Sequence, residues 1–463
     1  MHVIVCGAGL VGYSLIEHLQ RDPLFSVSVI DASAANIQNC TQNLDVEGHV
    51  GHASHPDVLA RAGAEKAEML ISVTRHDEIN MVACQVAETF FHIPHRLARV
   101  RHPAYLQPQW TELFGENGIA ATRVISPEQE VARALTRRLQ IPGAVEVLPL
   151  AGERALFIGM RATNTTTVLH RPLREIAELF PEINATLVAI ERDAKIAAAH
   201  RNEQLKPGDT AYFVVERAHL ARFQEAFTGT QAEPYRRVAI FGAGNVALNM
   251  VLHMNAELGD KMPHCQLIER DPDQAKRAAQ QLKPGIVRGG DVLDETTLKE
   301  ENIQDTDLAV AVTNSDQTNI LSCALAKRLG AKRAIALVSS PSIDSMVASL
   351  GLDGSLNPRE LVFSSVLRHL RRGRILFLYA LPHDGGEIFV AELLEKGSSL
   401  LNHTLRDLSL PRGLRLGAVI REGHFVLPRG NATFKLGDTL IFYAEAGVRA
   451  RIESLLSVQF GLL

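Results

Sequence analysis

A glycine-rich loop at residues 7–12 has the spacing that binds nucleotide phosphates. Gly7, Gly9 and Gly12 form a Gly-x-Gly-x-x-Gly pattern between an apolar run, Val3–Cys6, and a helical stretch. The first glycine permits a tight turn, the second lets the backbone approach a pyrophosphate, and the third lets the helix pack on the strand. The start of that helix offers free N–H groups and a partial positive charge. The loop therefore predicts a phosphate site.

An acidic residue stands where ribose recognition is expected. Asp31 follows Gly12 by 19 positions (31 − 12) and ends the next apolar run, Val27–Ile30. A carboxylate there accepts hydrogen bonds from ribose hydroxyls and repels a 2′-phosphate, which favours NAD over NADP. The alternative is a Rossmann fold whose cleft binds no ligand.

The same fingerprint recurs in the second half of the chain, which argues against an unused cleft. Gly242, Gly244 and Ala247 repeat the loop, and Glu269 is the acidic partner. Alanine in the last position affects packing more than the approach of phosphate. The two copies therefore predict two nucleotide sites in one polypeptide.

The repetition extends beyond the loops. Thr74 and Cys84 return as Thr313 and Cys323 at a constant offset of 239 positions (313 − 74 and 323 − 84). A shorter pattern also repeats, because the Lys-Pro-Gly-Asp turn at 206–209 is matched by Lys-Leu-Gly-Asp at 435–438. The order along the chain is A–B–A′–B′, where A carries the glycine loop and B carries the Gly-Asp turn.

Short apolar runs alternate with helical stretches in the A modules. Val27–Ile30, Met69–Val73 and Leu97–Val100 suit parallel strands that are covered on both faces, and helical stretches such as Asn80–Phe90 separate them. The B modules are short and rich in β patterns. We predict an α/β fold in which two Rossmann-like domains with doubly wound parallel sheets alternate with two small α+β domains.

Helix-start signals mark the end of each A module. Ser126-Pro127 and Asn357-Pro358 both place an N-cap residue before a proline, which suits the first helical position. The predicted organisation is a first Rossmann-like domain at 1–125 with a crossover helix at 126–140, a first B domain at 141–228, a second Rossmann-like domain at 234–356 with a crossover helix at 357–372, and a second B domain at 373–463.

Two arginines close the fifth strand of the first A module, where strand ends face the ligand crevice. Arg99 and Arg101 correspond to Leu337 and Ser339 in the second module. Because a guanidinium pairs well with phosphate, we expect the first module to bind charged nucleotides more tightly. The alternative for Arg99 is a surface salt bridge.

Composition excludes several classes of protein. The formal net charge of −4 over 463 residues lacks the basic surplus of a nucleic-acid binder. No run approaches the ~20 apolar residues of a membrane helix, and the first residues lack the pattern of a signal peptide. The five cysteines are scattered without a C-x-x-C pair, so we expect reduced core residues and no metal site.

The modules resemble the RCK (KTN) family, the conductance-regulating domains of potassium channels and transporters. Two copies in one chain are similar to the regulatory subunits of Trk potassium-uptake systems. The resemblance is carried by Gly48–Leu59, by the Val-Thr-x-x-Asp-x-x-Asn stretches of both A modules and by the Gly-Asp turns. It implies a non-enzymatic regulator that is cytoplasmic and peripheral on the inner face of the cell membrane, where a membrane-embedded Trk-type potassium-conducting subunit holds it.

The resemblance also implies ligands, an assembly and a set of contacts. The ligands are NAD(H) and ATP or ADP, and the assembly is a homotetramer that presents a ring of eight regulatory modules. The implied contacts in the first module are Gly7, Ala8, Gly9, Leu10, Val11, Asp31, Val73, Thr74 and Arg99. In the second module they are Gly242, Ala243, Gly244, Asn245, Val246, Glu269, Asp291 and Thr313. The sequence departs from the family pattern at Arg75 in the first module and at Leu337 and Ser339 in the second, which weakens the expectation for the second site more than for the first.

Two other functions remain open at this point. An NAD-dependent dehydrogenase would need a proton-transfer group in a separate substrate domain, whereas the B modules are short and their histidines do not recur. The second alternative function is the regulation of a different potassium channel or of a potassium efflux system. Calcium gating would call for clustered carboxylates on loops, and efflux regulators usually carry one A module.

Overall fold

The computed structural model describes residues 1–20, 25–115, 118–173, 175, 182–193, 195–200, 202–231, 233–283, 286–340, 343, 346–347, 349–369, 375–381, 385–394, 398, 400–401, 403–408 and 410–448. The chain divides into two compact units. The first holds Met1–Ala132 together with Asn357–Val366, and the second holds Arg133–Leu356 and Leu367–Leu463.

The first unit contains a parallel sheet with strand order β3-β2-β1-β4-β5-β6. Its central strand is buried beyond its first residue, since Val3, Ile4, Val5 and Cys6 are all 0% exposed. Such burial on both faces explains the uninterrupted apolar runs. The strands are β1 His2–Cys6, β2 Ser26–Asp31, β3 Glu47–Val50, β4 Met69–Ser72, β5 His95–Arg99 and β6 Arg123–Ile125.

Helices lie between these strands along the chain, as parallel pairing of successive strands requires. They are α1 Leu10–Gln20, α2 Ala34–Asn43, α3 Pro56–Arg61 and α4 Asp77–Phe91, followed by α5 Pro127–Gln140, which runs on from the sheet. Helix α4 begins three residues before the predicted Asn80. Ser126 precedes α5, and its hydroxyl accepts a hydrogen bond from the Gln129 N–H at 3.4 Å.

The second unit holds the other parallel sheet, with the same strand order, β14-β13-β12-β15-β16-β17. Its strands are β12 Arg237–Phe241, β13 His264–Glu269, β14 Val287–Gly289, β15 Leu308–Ala311, β16 Arg333–Leu337 and β17 Gly354–Leu356. Its helices are α7 Asn245–Leu258, α8 Pro272–Gln281, α9 Glu295–Glu300, α10 Asp316–Leu329 and α11 Pro358–His369.

Two antiparallel sheets complete the second unit, with orders β10-β9-β11-β8-β7 and β18-β19-β22-β20-β21. They share one apolar core that includes Phe157, Tyr212, Tyr379 and Tyr443. The strands are β7 Ala144–Leu150, β8 Ala155–Arg161, β9 Ala185–Arg192, β10 Lys195–Ala198, β11 Thr210–Glu216, β18 Ile375–Ala380, β19 Glu387–Glu392, β20 Leu414–Arg421, β21 His424–Val426 and β22 Thr439–Ala444, and helix α6 Leu220–Thr228 follows β11.

The predicted fold class is confirmed. Parallel sheets with helical crossovers alternate along the chain with antiparallel sheets, in the order A–B–A′–B′. The division into four domains with the ranges given above stays a prediction. The predicted end of the second crossover helix, at residue 372, lies outside the described residues.

Candidate functional site

The first glycine loop links β1 to α1 in a conformation that only glycine adopts readily. Gly7 has a φ of +103°, and a Cβ there would lie 2.9 Å from the backbone nitrogen of Thr74. A Cβ on Gly12 would lie 1.7 Å from the carbonyl oxygen of Gly7. A Cβ on Gly9 would meet no atom within 4 Å. The loop is therefore tight at both ends and open at its middle glycine.

The acid at the end of β2 is tied to this loop. One carboxylate oxygen of Asp31, Oδ2, accepts the N–H of Ala8 at 2.7 Å. The other, Oδ1, accepts the N–H of Ser33 at 2.8 Å and the side-chain amide of Asn36 at 3.2 Å. Each carboxylate oxygen has two lone pairs, and Asp31 is only half-buried, so acceptor capacity remains for a ligand hydroxyl.

A buried asparagine organises the end of β4. The side-chain oxygen of Asn80 accepts the N–H and the hydroxyl of Thr74 at 2.9 and 2.7 Å. Its amide nitrogen donates to the carbonyl oxygen of Arg99 at 2.8 Å. The side chain therefore holds the ends of β4 and β5 together beside the glycine loop, with Val73 buried and Thr74 half-buried. Asn80 thus forms a bracket, meaning a side chain whose hydrogen bonds hold two segments of backbone together.

A second bracket joins α4 to the chain beyond β5. Asp77 Oδ2 accepts the backbone N–H groups of Arg101 and His102 at 2.9 and 2.7 Å. The guanidinium of Arg101 itself pairs with Glu128, with its Nε 2.9 Å from Oε1. The guanidinium of Arg101 is therefore engaged in a salt bridge, which leaves Arg99 as the other cation at the end of β5.

Arg99 carries a buried donor. Among the residues that the structure describes, its Nε has no hydrogen-bond partner, although the residue as a whole is only half-buried. Burial lowers the pKa of Arg99, as does repulsion from Arg101, while Glu128 and Asp77 act in the opposite direction. A guanidinium remains protonated under these conditions, so the orphaned donor suits an anionic oxygen such as that of a phosphate.

The second module repeats the loop and its acid. Gly242 has a φ of +96°, and Glu269 Oε2 accepts the N–H of Ala243 at 2.8 Å. The other oxygen of Glu269 accepts the N–H of Asp271 at 2.9 Å. A Cβ on Gly244 would have only the side-chain nitrogen of Gln274 in contact, at 3.5 Å. Asn245 is exposed and Val246 half-buried at the start of α7.

The brackets recur as well. Asn319 accepts the N–H and the hydroxyl of Thr313 at 2.8 and 2.6 Å and donates to the carbonyl oxygen of Leu337 at 2.8 Å. Asp316 accepts the N–H groups of Ser339 and Ser340 at 3.0 and 2.9 Å. Leu337 therefore occupies the place of Arg99, and the second site lacks that cation.

The turns after β3 and β14 border the two acids. The N–H of Gly51 donates to the carbonyl oxygen of Asp31 at 3.0 Å, and that of Gly290 donates to the carbonyl oxygen of Glu269 at 2.9 Å. The next residue is His52 in the first module and Asp291 in the second. These turns extend each crevice beyond the acid.

These features meet the requirements of a nucleotide. Each module combines an open middle glycine, an acid beside it and a half-buried threonine at the facing strand end. Neither α1 nor α7 has an acidic residue in its first turn, so no side chain there repels an anion from the free N–H groups. The residues would hold phosphates at the loop and ribose at the acid.

Sequence patterns identified most of these residues but not the brackets. The loops, the acids, Thr74 and Thr313 lie together in each module as expected. The roles of Asp77 and Asp316 were missed, although their recurrence in the Val-Thr-x-x-Asp-x-x-Asn stretches was the available signal. Arg270, next to Glu269, is 80% exposed, with its Nη1 3.9 Å from Asp291 Oδ2.

Other chemistry is limited in the part of the chain that the structure describes. All five cysteines are buried and free, and burial raises the pKa of Cys84, Cys265 and Cys323 to about 12. Within that part, no group of three or more His, Cys, Asp or Glu side chains could hold a metal ion. Nor does any helix there have the length and apolar character needed to cross a bilayer.

Comparison with solved structures agrees with the fold. The GsuK RCK domain matches with a TM-score of 0.60 and 16% identity, covering 99% of this chain and 95% of that one. The GsuK channel bound to NAD matches with a TM-score of 0.61 and 16% identity, covering 99% of this chain and 79% of that one. At these identities the similarity concerns the fold.

Sequence comparison identifies the family. The TrkA-N domain matches residues 3–127 and 238–358, and the TrkA-C domain matches residues 389–457. The chain is 40% identical over 458 residues to the Trk system potassium uptake protein TrkA of Azorhizobium caulinodans, covering 99% of both. It is 32% identical to that of Vibrio alginolyticus, covering 96% of this chain and 95% of that protein. The chain belongs to the TrkA family of Trk-system potassium-uptake proteins.

Proposed function

We propose that this protein is a cytosolic nucleotide-binding regulatory subunit that gates a Trk-type potassium-uptake transporter. The observation that carries the proposal is the duplication of a complete crevice, with glycine loop, acid and bracketed strand ends, in a chain of the TrkA family. Beside the two crevices, the described residues form two antiparallel sheets and no separate substrate domain, which suits a sensor better than an enzyme.

The ligands we propose are NAD(H) and ATP or ADP. Asp31 and Glu269 favour an unmodified ribose, because a carboxylate accepts from hydroxyls and repels a 2′-phosphate. The contacts would be those implied by the sequence, namely the two glycine loops with Leu10 and Val11 or Asn245 and Val246, the acids, Val73, Thr74, Arg99, Asp291 and Thr313. A channel of similar fold has been solved with NAD bound, which supports the dinucleotide.

The nucleotide would act by favouring one geometry of an oligomeric ring. A ligand shifts such an equilibrium only by binding one state better than the other. We propose a tetramer of this chain, and exposed apolar side chains at equivalent helix positions support self-assembly. Val82 on α4 is 46% exposed, and its counterpart Leu321 on α10 is 57% exposed. The ring would dock on a membrane-embedded potassium-conducting subunit and restrain or open its pore.

Potassium uptake by cells tests the proposal. The cells used for the assay lack their own Trk regulator, and they express this chain together with the membrane subunit that it is proposed to regulate. Gly9→Asp and Gly244→Asp place a negative charge where a Cβ meets little or nothing, so the fold is kept while phosphate is repelled. Gly354→Asp is the matched control, because a Cβ there also meets nothing within 4 Å but the residue lies in β17.

We expect the double variant Gly9→Asp/Gly244→Asp to lose most nucleotide-dependent uptake and Gly354→Asp to keep it. Uptake that is unchanged in the double variant would contradict the proposal. Formation of NADH from NAD by the purified protein with a hydroxy acid, followed by the absorbance of NADH, would instead favour a dehydrogenase.

A further inference from the structure

The two crevices differ at the end where a purine base would lie. Strand order in both sheets places the glycine loop at β1 or β12, the acid at the neighbouring β2 or β13, and a turn at the next strand, β3 or β14. If phosphates lie at the loop and ribose at the acid, as the proposed function requires, the base extends over that turn. The 6-position of a purine lies far from the ribose, so the turn residue faces that edge.

In the second module the turn presents a carboxylate. Asp291 Oδ1 accepts the N–H of Leu293 at 2.9 Å, and Oδ2 lies 3.9 Å from Nη1 of the exposed Arg270, so acceptor capacity remains on Oδ2. The nearby Asp294 is occupied, because its carboxylate caps α9 through the N–H groups of Thr296 and Thr297. An ionised carboxylate only accepts hydrogen bonds, so Asp291 suits the 6-amino group of adenine and repels a 6-oxo group.

In the first module the same two positions are histidines. His52 replaces Asp291, and its Nδ1 lies 2.7 Å from the hydroxyl oxygen of Ser54. His55 replaces Asp294 and packs its ring against that of His52, with centroids 4.9 Å apart and planes 32° apart. The serine hydroxyl can donate to Nδ1 or accept from it, so Nε2 of a neutral imidazole can be a donor or an acceptor.

We propose that these residues give the two modules different base selectivity. The second module, through Asp291, prefers 6-amino purine nucleotides. The first module, through His52, binds 6-amino and 6-oxo purine nucleotides alike, because the imidazole tautomer adapts to a donor or an acceptor at position 6. His52 and Asp291 are then the specificity-determining residues of the two sites.

Binding of NADH and of reduced nicotinamide hypoxanthine dinucleotide tests this, since the two differ only in the base at position 6 and its neighbouring N1. Isothermal titration of the full chain is done at pH 8, where an ordinary histidine is neutral. Gly244→Asp reports the first site alone, and Gly9→Asp reports the second site alone. The ratio of the two dissociation constants is the readout in each variant.

We expect the hypoxanthine dinucleotide to bind the second site about 10- to 100-fold more weakly than NADH, because a hydrogen bond to a charged group is replaced by repulsion. At the first site we expect the two dissociation constants to agree within about threefold. In the Gly244→Asp background, which reports the first site, His52→Asp should introduce the discrimination between the two dinucleotides. In the Gly9→Asp background, which reports the second site, Asp291→Asn should relax that discrimination, since asparagine keeps an acceptor for the Leu293 N–H and adds a donor.

Equal ratios at the two sites, or a ratio that His52→Asp leaves unchanged, would overturn the inference while leaving the proposed function intact. Failure of NADH to bind either single-site variant would instead overturn the proposed function, and the base selectivity with it. The Asp291→Asn variant, checked by circular dichroism for its fold, separates a lost turn from a changed base preference.

Discussion

Gly12 and Ala247 hold the same place in the two glycine loops, yet the loops constrain them differently. In the first loop a Cβ would lie 1.7 Å from the carbonyl oxygen of Gly7, whereas the second loop contains a fully buried alanine at that place. The two loops share a sequence fingerprint, but their backbones follow different local paths, and only the second has room for a methyl group at this position.

Gly12→Ala should distort the first loop. We expect it to lower the free energy of unfolding of the first unit by about 1–3 kcal/mol, the usual cost of overpacking, and to weaken nucleotide binding there. Chemical denaturation and titration with NADH measure both effects. Gly9→Ala is the control, since its Cβ meets open space and should change stability by less than about 0.5 kcal/mol. A fully stable, binding-competent Gly12→Ala protein would contradict the geometry.

The charge at Arg99 should distinguish the two sites. In the first-site variant Gly244→Asp, we expect Arg99→Leu to weaken ADP binding about 10-fold or more, because a hydrogen bond to a charged group is lost. In Gly9→Asp, Leu337→Arg should strengthen it. Arg61→Leu is the control, since Arg61 is an exposed partner of Asp57. Equal ADP affinities of the two unmodified sites, measured by calorimetry, would refute the predicted difference.

At this scale the sequence predicted the residues that recur with a known fingerprint. Gly7, Asp31 and Thr74 could be identified because their types and spacing are tied to one ligand. The bracket made by Asp77 could not, since it accepts backbone N–H groups 24 and 25 positions away, and any residue provides a backbone N–H. The sequence also could not predict that Arg101, and not Arg99, makes a salt bridge, because this depends on the position of Glu128 in the fold.

At the scale of the secondary-structure elements, an arginine–aspartate ion pair connects two neighbouring strands in each antiparallel sheet. Arg192 Nε and Nη2 lie 2.9 and 2.6 Å from the two oxygens of Asp209, and Arg421 contacts Asp438 in the same way at 2.8 and 2.7 Å. The repeated Gly-Asp turns thus anchor β9 to β11 and β20 to β22, besides reversing the chain.

The first pair should make stability depend on acid pH. Burial alone would raise the pKa of Asp209, but hydrogen bonds from Arg192 and the Lys206 N–H outweigh it and hold that pKa below its ordinary value. The stabilisation is therefore present at neutral pH and is lost as the pH falls below about 3.8 toward the lowered pKa.

Urea midpoints measured between pH 7 and pH 3 test this. We expect Asp209→Asn to cost about 3 kcal/mol at pH 7 and to reduce the acid dependence of the midpoint, because the ion pair is gone. Glu153→Gln, which removes an exposed carboxylate of the same unit, is the control. An unchanged acid slope in Asp209→Asn would show that other carboxylates govern the transition.

At the scale of the whole molecule, the first unit includes a segment from far along the chain. Residues 357–366 belong to the same unit as residues 1–132. The ring centroids of Phe363 and of His18 on α1 lie 4.3 Å apart. The helix-start signal at Asn357-Pro358 predicted that a helix begins there. It could not predict where the helix packs, since its apolar face fits any complementary surface.

Phe363→Ala should destabilise the first unit by about 3–5 kcal/mol, because Phe363 is 9% exposed and its loss leaves a cavity. Hydrogen exchange should then show faster opening of α1. Phe90→Ala is the matched control, since Phe90 is 63% exposed and should be close to neutral in the isolated chain. Equal effects of the two substitutions would contradict the assignment of 357–366 to this unit.

The central claim is that both modules of one chain bind nucleotide. Calorimetric titration of the purified protein with NADH measures it most directly, through the number of sites per chain. We expect two sites in the unmodified chain, one in Gly9→Asp, one in Gly244→Asp and none in the double variant, with Gly354→Asp retaining two. Absence of binding in the unmodified chain, or a double variant that still binds NADH, would contradict the account.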